Sequence, residues 1–124
     1  MRHQVAGKKL GRPSGQRRAL RRTLVNQLIE HDRIRTTRAK ALAIRQEVED
    51  LVTAAKLGNA EEGRKVHARR MAAARLGDAS AVRRLFDEIA PRFEKRKGGY
   101  TRILRLGRRL GDAAEMVLLE FVEG

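Results

Sequence analysis

After Ser14, apolar residues recur every three to four positions: Leu20, Leu24, Val25, Leu28 and Ile29. The spacing predicts a first helix to about His31, with Ser14 as its N-cap. Arg17, Arg18, Arg21 and Arg22 flank that stripe, so one face packs while the other is strongly basic. Ahead of it, Gly7, Gly11 and Pro13 interrupt any period, and residues 1–13 read as an extended arm. Arg33-Ile34-Arg35-Thr36-Thr37 predicts a short strand, whose last threonine caps a second helix. Ala41, Ile44, Val48, Leu51, Val52 and Ala55 carry that helix to about Leu57, with Gly58 as its terminator. Asn59 and Glu62 resemble a capping box for a third helix, weakly amphipathic, that ends at Gly77. Asp78 caps a fourth, with Val82, Leu85, Phe86 and Ile89 inward and Pro91 closing the run.

Gly98-Gly99 breaks the chain, and two strands come after it, Tyr100 to Leu106 and Met116 to Val122. Gly107, Gly111 and Asp112 between them suit a hairpin with a longish loop. Leu104 and Leu106 share a face with Tyr100. In the second strand both faces are partly apolar, which leaves its buried side open. The expected fold is in the α/β class, a two-layer α+β domain over 14–124. Its order is helix, strand, three helices, two strands, with a small, mostly antiparallel sheet packed on the helices.

Composition bounds the chemistry. The 124 residues include 29 Lys plus Arg against 15 Asp plus Glu, a net charge of +14. The absence of cysteine removes disulfides, thiol nucleophiles and Cys-based zinc sites. No apolar run approaches the ~20 residues a bilayer span needs, and no apolar h-region succeeds the basic start. A membrane partner and secretion are therefore not expected. His3, His31 and His67 are too scattered to suggest a metal site, and Ser14 and Ser80 sit where caps belong. Glu61-Glu62 and Asp87-Glu88 are adjacent on helices and do not face one another as acid and base. No dinucleotide or Walker motif is present. These features point away from an enzyme, a cofactor or a small-molecule substrate.

The distribution of charge changes the picture more than its total. Residues 1–22 hold eight bases and no acid, and residues 92–109 hold eight bases against Glu94 alone. The remainder is nearly neutral. There, Arg83 with Asp87, Arg84 with Glu88 and Glu61 with Lys65 stand four apart and predict pairs on helix faces. The end blocks have no such local partners and point to nucleic acid. Tyr100 and three Phe are too few for a single-strand stacking platform, although Phe93 and Tyr100 flank the second block and offer rings to bases. Recognition is expected to rest on phosphates and shape. The first surface is Arg2, His3, Lys8, Lys9 and Arg12 of the arm with Arg17, Arg18, Arg21 and Arg22 of the helix. The second is Lys95, Arg96, Lys97, Gly98, Gly99, Tyr100, Arg102, Arg105, Arg108 and Arg109. Exchanging Arg17, Arg18, Arg21 and Arg22 for Gln is expected to weaken RNA binding and leave the fold intact.

Specific residues go further. The chain opens Met1-Arg2-His3 and continues Leu10-Gly11-Arg12-Pro13-Ser14, then Arg17-Arg18-Ala19-Leu20. Ile34-Arg35-Thr36-Thr37 and Ala39-Lys40-Ala41 come next. Later stand the run from Leu85 to Phe93, Gly98-Gly99-Tyr100-Thr101-Arg102-Ile103-Leu104, and Gly111-Asp112-Ala113-Ala114. In kind and order this resembles the bacterial large-subunit ribosomal protein family L-seventeen over essentially the whole chain. It departs at Gly15-Gln16, where a small residue and His are frequent, and at Ala39, where Pro is common. Residues 59–76 match least and carry no site. The resemblance implies the same element order and binding to 23S-type large-subunit rRNA as a structural component. It also implies neighbouring large-subunit ribosomal proteins and a cytoplasmic place on the solvent side of the large subunit, near the exit of the nascent-chain tunnel. It assigns no catalysis. The alternative is a histone-like DNA-binding protein.

Overall fold

The computed structural model describes residues 13–123. Of the expected arm only Pro13 falls among them; Arg2, His3, Lys8, Lys9 and Arg12 lie outside. Helix α1 spans Ser14–His31 and buries Leu24, Val25, Leu28 and Ile29. Its cap is Pro13 rather than Ser14. Pro13 is extended at ψ 158°, and its carbonyl accepts the Arg17 N–H at 2.9 Å. The break from helical geometry thus comes one residue earlier than expected, and Ser14 is already helical. Asp32 ends α1 in the left-handed region, φ 69°, and hands the chain to β1, Arg33–Thr37.

Thr37 caps α2, Arg38–Ala60, accepting the Lys40 N–H at 3.4 Å. Gly58 does not stop this helix. It is buried inside it, and a Cβ there would stand 2.5 Å from the Cβ of Ala68. Glu61 alone, at φ −125°, joins α2 to α3, Glu62–Leu76. Asn59 makes no capping box, because its amide donates instead to the Phe86 carbonyl at 2.8 Å. A missing side chain thus lets α3 fold back closely on α2, and a tertiary hydrogen bond claims the residue that local pattern assigned to a cap.

Asp78 caps α4, Ala79–Arg84, through the N–H groups of Ser80 and Ala81. A π-helical turn continues over Leu85–Ile89, and α5 covers Ala90–Arg92. Pro91 therefore sits within a continued helix rather than closing one. A proline ring clashes with the carbonyl four residues back in a regular helix, and the widened turn before it relieves that conflict. Two of the anticipated helix-face pairs also give way to other partners. Asp87 pairs with Arg69 of α3 at 2.7 Å, and Glu61 pairs with Arg64 at 3.0 Å; Arg84 does meet Glu88.

β2, Thr101–Arg108, and β3, Glu115–Phe121, complete a sheet of order β1-β3-β2, antiparallel throughout. The register decides the buried face. Ile34, Leu119 and Ile103 lie in one cross-strand row, and Val117, Leu119 and Phe121 join the core with α1 and α2. Leu104 and Leu106 are 43% and 47% exposed, on the open side, whereas Tyr100 turns inward before the strand starts. The face shared by these three in a simple alternation is thus split. A bulge between Arg105 and Gly107, with Gly107 at φ 102°, re-aims the hairpin end.

The hairpin turn is held by Asp112, which accepts from Arg109 at 2.6 and 3.1 Å and from the Ala114 N–H at 3.1 Å. The Arg109 guanidinium, with help from Ala114, lowers the Asp112 carboxyl to about 2. A carboxylate whose folded pKa lies below its unfolded one contributes above about pH 4 and loses its contribution as pH falls through about 2. An NMR titration is expected to place the Asp112 midpoint near 2. A midpoint near 4 would show that the turn forms without this pair.

Candidate nucleic-acid interface

Two basic surfaces emerge from the fold. The first is a cleft of about 420 Å³ where α1 meets α3 and α2. Arg17, Arg18, Arg21, Arg22 and Arg75 line it, with Glu47 at its α2 wall. Arg17, Arg18, Arg21 and Arg22 each stand seven residues, about two turns, before Leu24, Val25, Leu28 and Ile29, so they continue the packing face of α1 towards its N-terminus rather than forming the opposite, basic face that the sequence suggested. Arg17 and Arg18 form no ion pair with an acid among the described residues. Arg75 comes from the segment to which the sequence assigned no site. It is the last-turn base of α3, and only the antiparallel return of α3 brings it to α1.

Arg22 has a second task. Its Nε donates to the Arg75 carbonyl at 3.1 Å and its Nη2 to the Ala74 carbonyl at 3.5 Å. Asn26 donates to the Leu76 carbonyl at 2.9 Å. Together they satisfy carbonyls that the end of α3 leaves open, and the cation meets the negative end of the helix dipole. The fourfold Gln exchange is therefore not neutral to the fold. Arg22→Gln is expected to cost about 1 kcal/mol, a typical net hydrogen-bond contribution. Arg17→Gln with Arg18→Gln is expected to leave the melting temperature within about 1–2 °C, since surface changes stay within roughly 0.5 kcal/mol. Thermal unfolding of the two variants checks the contrast, and equal losses would overturn it.

The second surface is the loop carrying Lys95, Arg96, Lys97, Gly98 and Gly99, all exposed, and the hairpin beyond it. Helix α2 pins this loop at both ends. Glu49 accepts the N–H groups of Tyr100 at 3.1 Å and Thr101 at 2.9 Å, and the Thr101 hydroxyl at 2.8 Å. Lys56 donates to the Arg96 carbonyl and, at 3.0 Å, to the Tyr100 hydroxyl. Arg96 folds its Nε back onto the carbonyls of Gly98 and Gly99 at 3.1 and 3.2 Å.

Tyr100 departs from its expected role. It is 1% exposed, its ring 5.2 Å from that of the fully buried Phe93. Neither ring can stack on a base. In a chain with four aromatics the core claims them first. Burial alone pushes the Tyr100 phenol up, but hydrogen bonds with Lys56 and Thr53 and the Lys56 charge outweigh it and hold the group below its ordinary value.

The second block also finds acids, one only three residues beyond its end and the others brought to it by the fold. Arg102 pairs with Glu120 at 2.7 Å, Arg105 with Glu115 at 3.5 Å and Arg109 with Asp112 at 2.6 Å. Arg92 and Arg84 share Asp32, each at 3.1 Å. Hairpin pairing and the packing of α5 on the α1–β1 corner supply these partners, so a block unopposed along the chain is half countered in space. Lys95, Lys97 and Arg108 keep no ion pair among the described residues. The Arg105 and Arg109 pairs are exposed and worth at most about 1 kcal/mol, so a phosphate can take over those two arginines, whereas Arg102 is held by the buried Glu120.

No helix among the described residues is long and apolar enough to cross a membrane. The Ribosomal protein L17 family model matches residues 20–122. The large ribosomal subunit protein bL17 of Thermomicrobium roseum is 51% identical over 122 residues, 98% of this chain and 99% of that one. Its counterpart in Thermoanaerobacter pseudethanolicus is 50% identical over 115 residues, 93% and 97% of the two chains. That of Trichlorobacter lovleyi is 47% identical over 123 residues, 99% and 94%. Matches of this extent identify a ribosomal protein rather than an enzyme: the chain belongs to the ribosomal protein L17 family.

Proposed function

We propose that this chain is a structural constituent of the bacterial large ribosomal subunit, holding large-subunit rRNA through the α1–α3 arginine cleft and the loop and hairpin of residues 95–109. The cleft carries the reading, because it gathers five arginines from two helices around one acid. Arginine suits this task through its fork of donors and constant charge. The names of the relatives supply the subunit. On the family resemblance the seat is the solvent side near the tunnel exit, beside other large-subunit proteins. Phosphate neutralisation makes affinity fall with salt, by roughly 0.7–0.9 log units per log unit of salt for each phosphate held.

A sucrose gradient of host lysate at low magnesium, where the subunits separate, tests the reading. Co-migration with the large subunit after a moderate-salt wash is expected. Recovery with chromosomal DNA would overturn it in favour of a histone-like role, and recovery at the top of the gradient would overturn it outright.

A further inference from the structure

The two basic surfaces lie on opposite flanks of α2. Glu47 forms a wall of the arginine cleft, whereas Glu49 and Lys56 face the loop and the start of β2. Residues 47 and 49 are about 200° apart around a helix of 3.6 residues per turn. The body of α2, about 10–12 Å across with its side chains, therefore stands between the surfaces. Its outward ridge is not basic. It carries Gln46 and the exposed Asp50, bonded to one another at 2.9 Å, beside the carboxylate of Glu47. A strand crossing this ridge would bring phosphates against carboxylates.

We propose that the protein is a cross-bridge between two separate segments of RNA, one seated in the α1–α3 cleft and one on the 95–109 surface, with the acidic ridge of α2 dividing them. This rests on the RNA-binding reading above. The rigid connection through α2 fixes the distance and angle between the segments. The protein thereby fastens parts of a folded RNA together rather than coating one strand.

Chemical footprinting of deproteinised large-subunit rRNA with the full chain tests this. Two protected stretches are expected with the unchanged protein. Arg17→Gln with Arg18→Gln is expected to erase one and leave the other, and Lys95→Gln with Lys97→Gln to do the reverse. None of these four side chains forms an intramolecular ion pair among the described residues, so the losses do not arise from unfolding. Both variants thinning the same single stretch would overturn the cross-bridge while leaving RNA binding in place. No protection by the unchanged protein would overturn the RNA-binding reading, and the cross-bridge with it.

Discussion

Glu49→Ala is expected to lower the stability of the protein by about 3 kcal/mol. One carboxylate receives the Tyr100 N–H, the Thr101 N–H and the Thr101 hydroxyl, at 3.1, 2.9 and 2.8 Å. Hydrogen bonds to a charged group contribute roughly 1.5–3 kcal/mol each, and three that share one acceptor do not add. Alanine would leave donors beside the buried Tyr100 without their acceptor. For a domain of this length the loss corresponds to a fall in melting temperature of roughly 10–15 °C. Glu49→Gln keeps one acceptor oxygen but turns an amide N–H₂ towards the donors, so it is expected to fall between. The effect extends to function, because the same carboxylate sets where the loop 95–99 ends. RNA protection on that side is expected to fade in the alanine variant while the α1–α3 side persists. A melting temperature within about 2 °C of the unchanged protein would show that Glu49 does not fix the entry to β2.

Substitution at Gly58 is expected to have the second large effect. Carbon atoms pack at about 3.5–4.0 Å, and a Cβ at Gly58 would stand 2.5 Å from the Ala68 Cβ and 3.4 Å from the Phe86 ring. Helix α3 has to move away by about 1 Å, carrying Arg75 and the arginine cleft with it. Opposing this, alanine is about 1 kcal/mol better than glycine inside a helix. Overpacking costs about 1–3 kcal/mol, so Gly58→Ala is expected to destabilise modestly and Gly58→Leu by about 3 kcal/mol or more. Ala68→Gly in the Gly58→Ala background is expected to recover most of the packing loss, read as coupling in a double-mutant cycle by denaturant unfolding. A gain in stability from Gly58→Ala alone would show that α2 and α3 yield without cost.

Both predictions concern residues whose roles were invisible along the chain. Glu49 reads as one more polar residue on an amphipathic helix, and Gly58 as a stop. The turn signals that did work are those whose chemistry is complete within three or four residues. Thr37 and Asp78 cap the N–H groups just ahead of them, and Gly77 takes φ 64° to end α3. Ser14, Asn59 and Pro91 failed because a neighbouring extended proline, a distant carbonyl and a π turn altered the local rule. The basic surfaces were legible as blocks of charge. Arg75, the capping task of Arg22 and the acids facing the hairpin arginines were not.

The sequence by itself determined the element order, the helical stripes and the family, and placed the positive charge at two ends of the described domain. Periodicity, caps and charge counts are local quantities that a chain carries before it folds. The tertiary structure alone decided which face of β3 is buried, because cross-strand register with Ile34 and Ile103 is needed to choose between two partly apolar sides. It alone turned Tyr100 and Phe93 into core, countered half of the second block, and set the two basic surfaces on opposite flanks of α2. Apart from the Arg109–Asp112 pair within the turn, those outcomes depend on contacts between residues some 10 to 60 positions apart, and contacts at that range are set by packing and register, which no local pattern encodes.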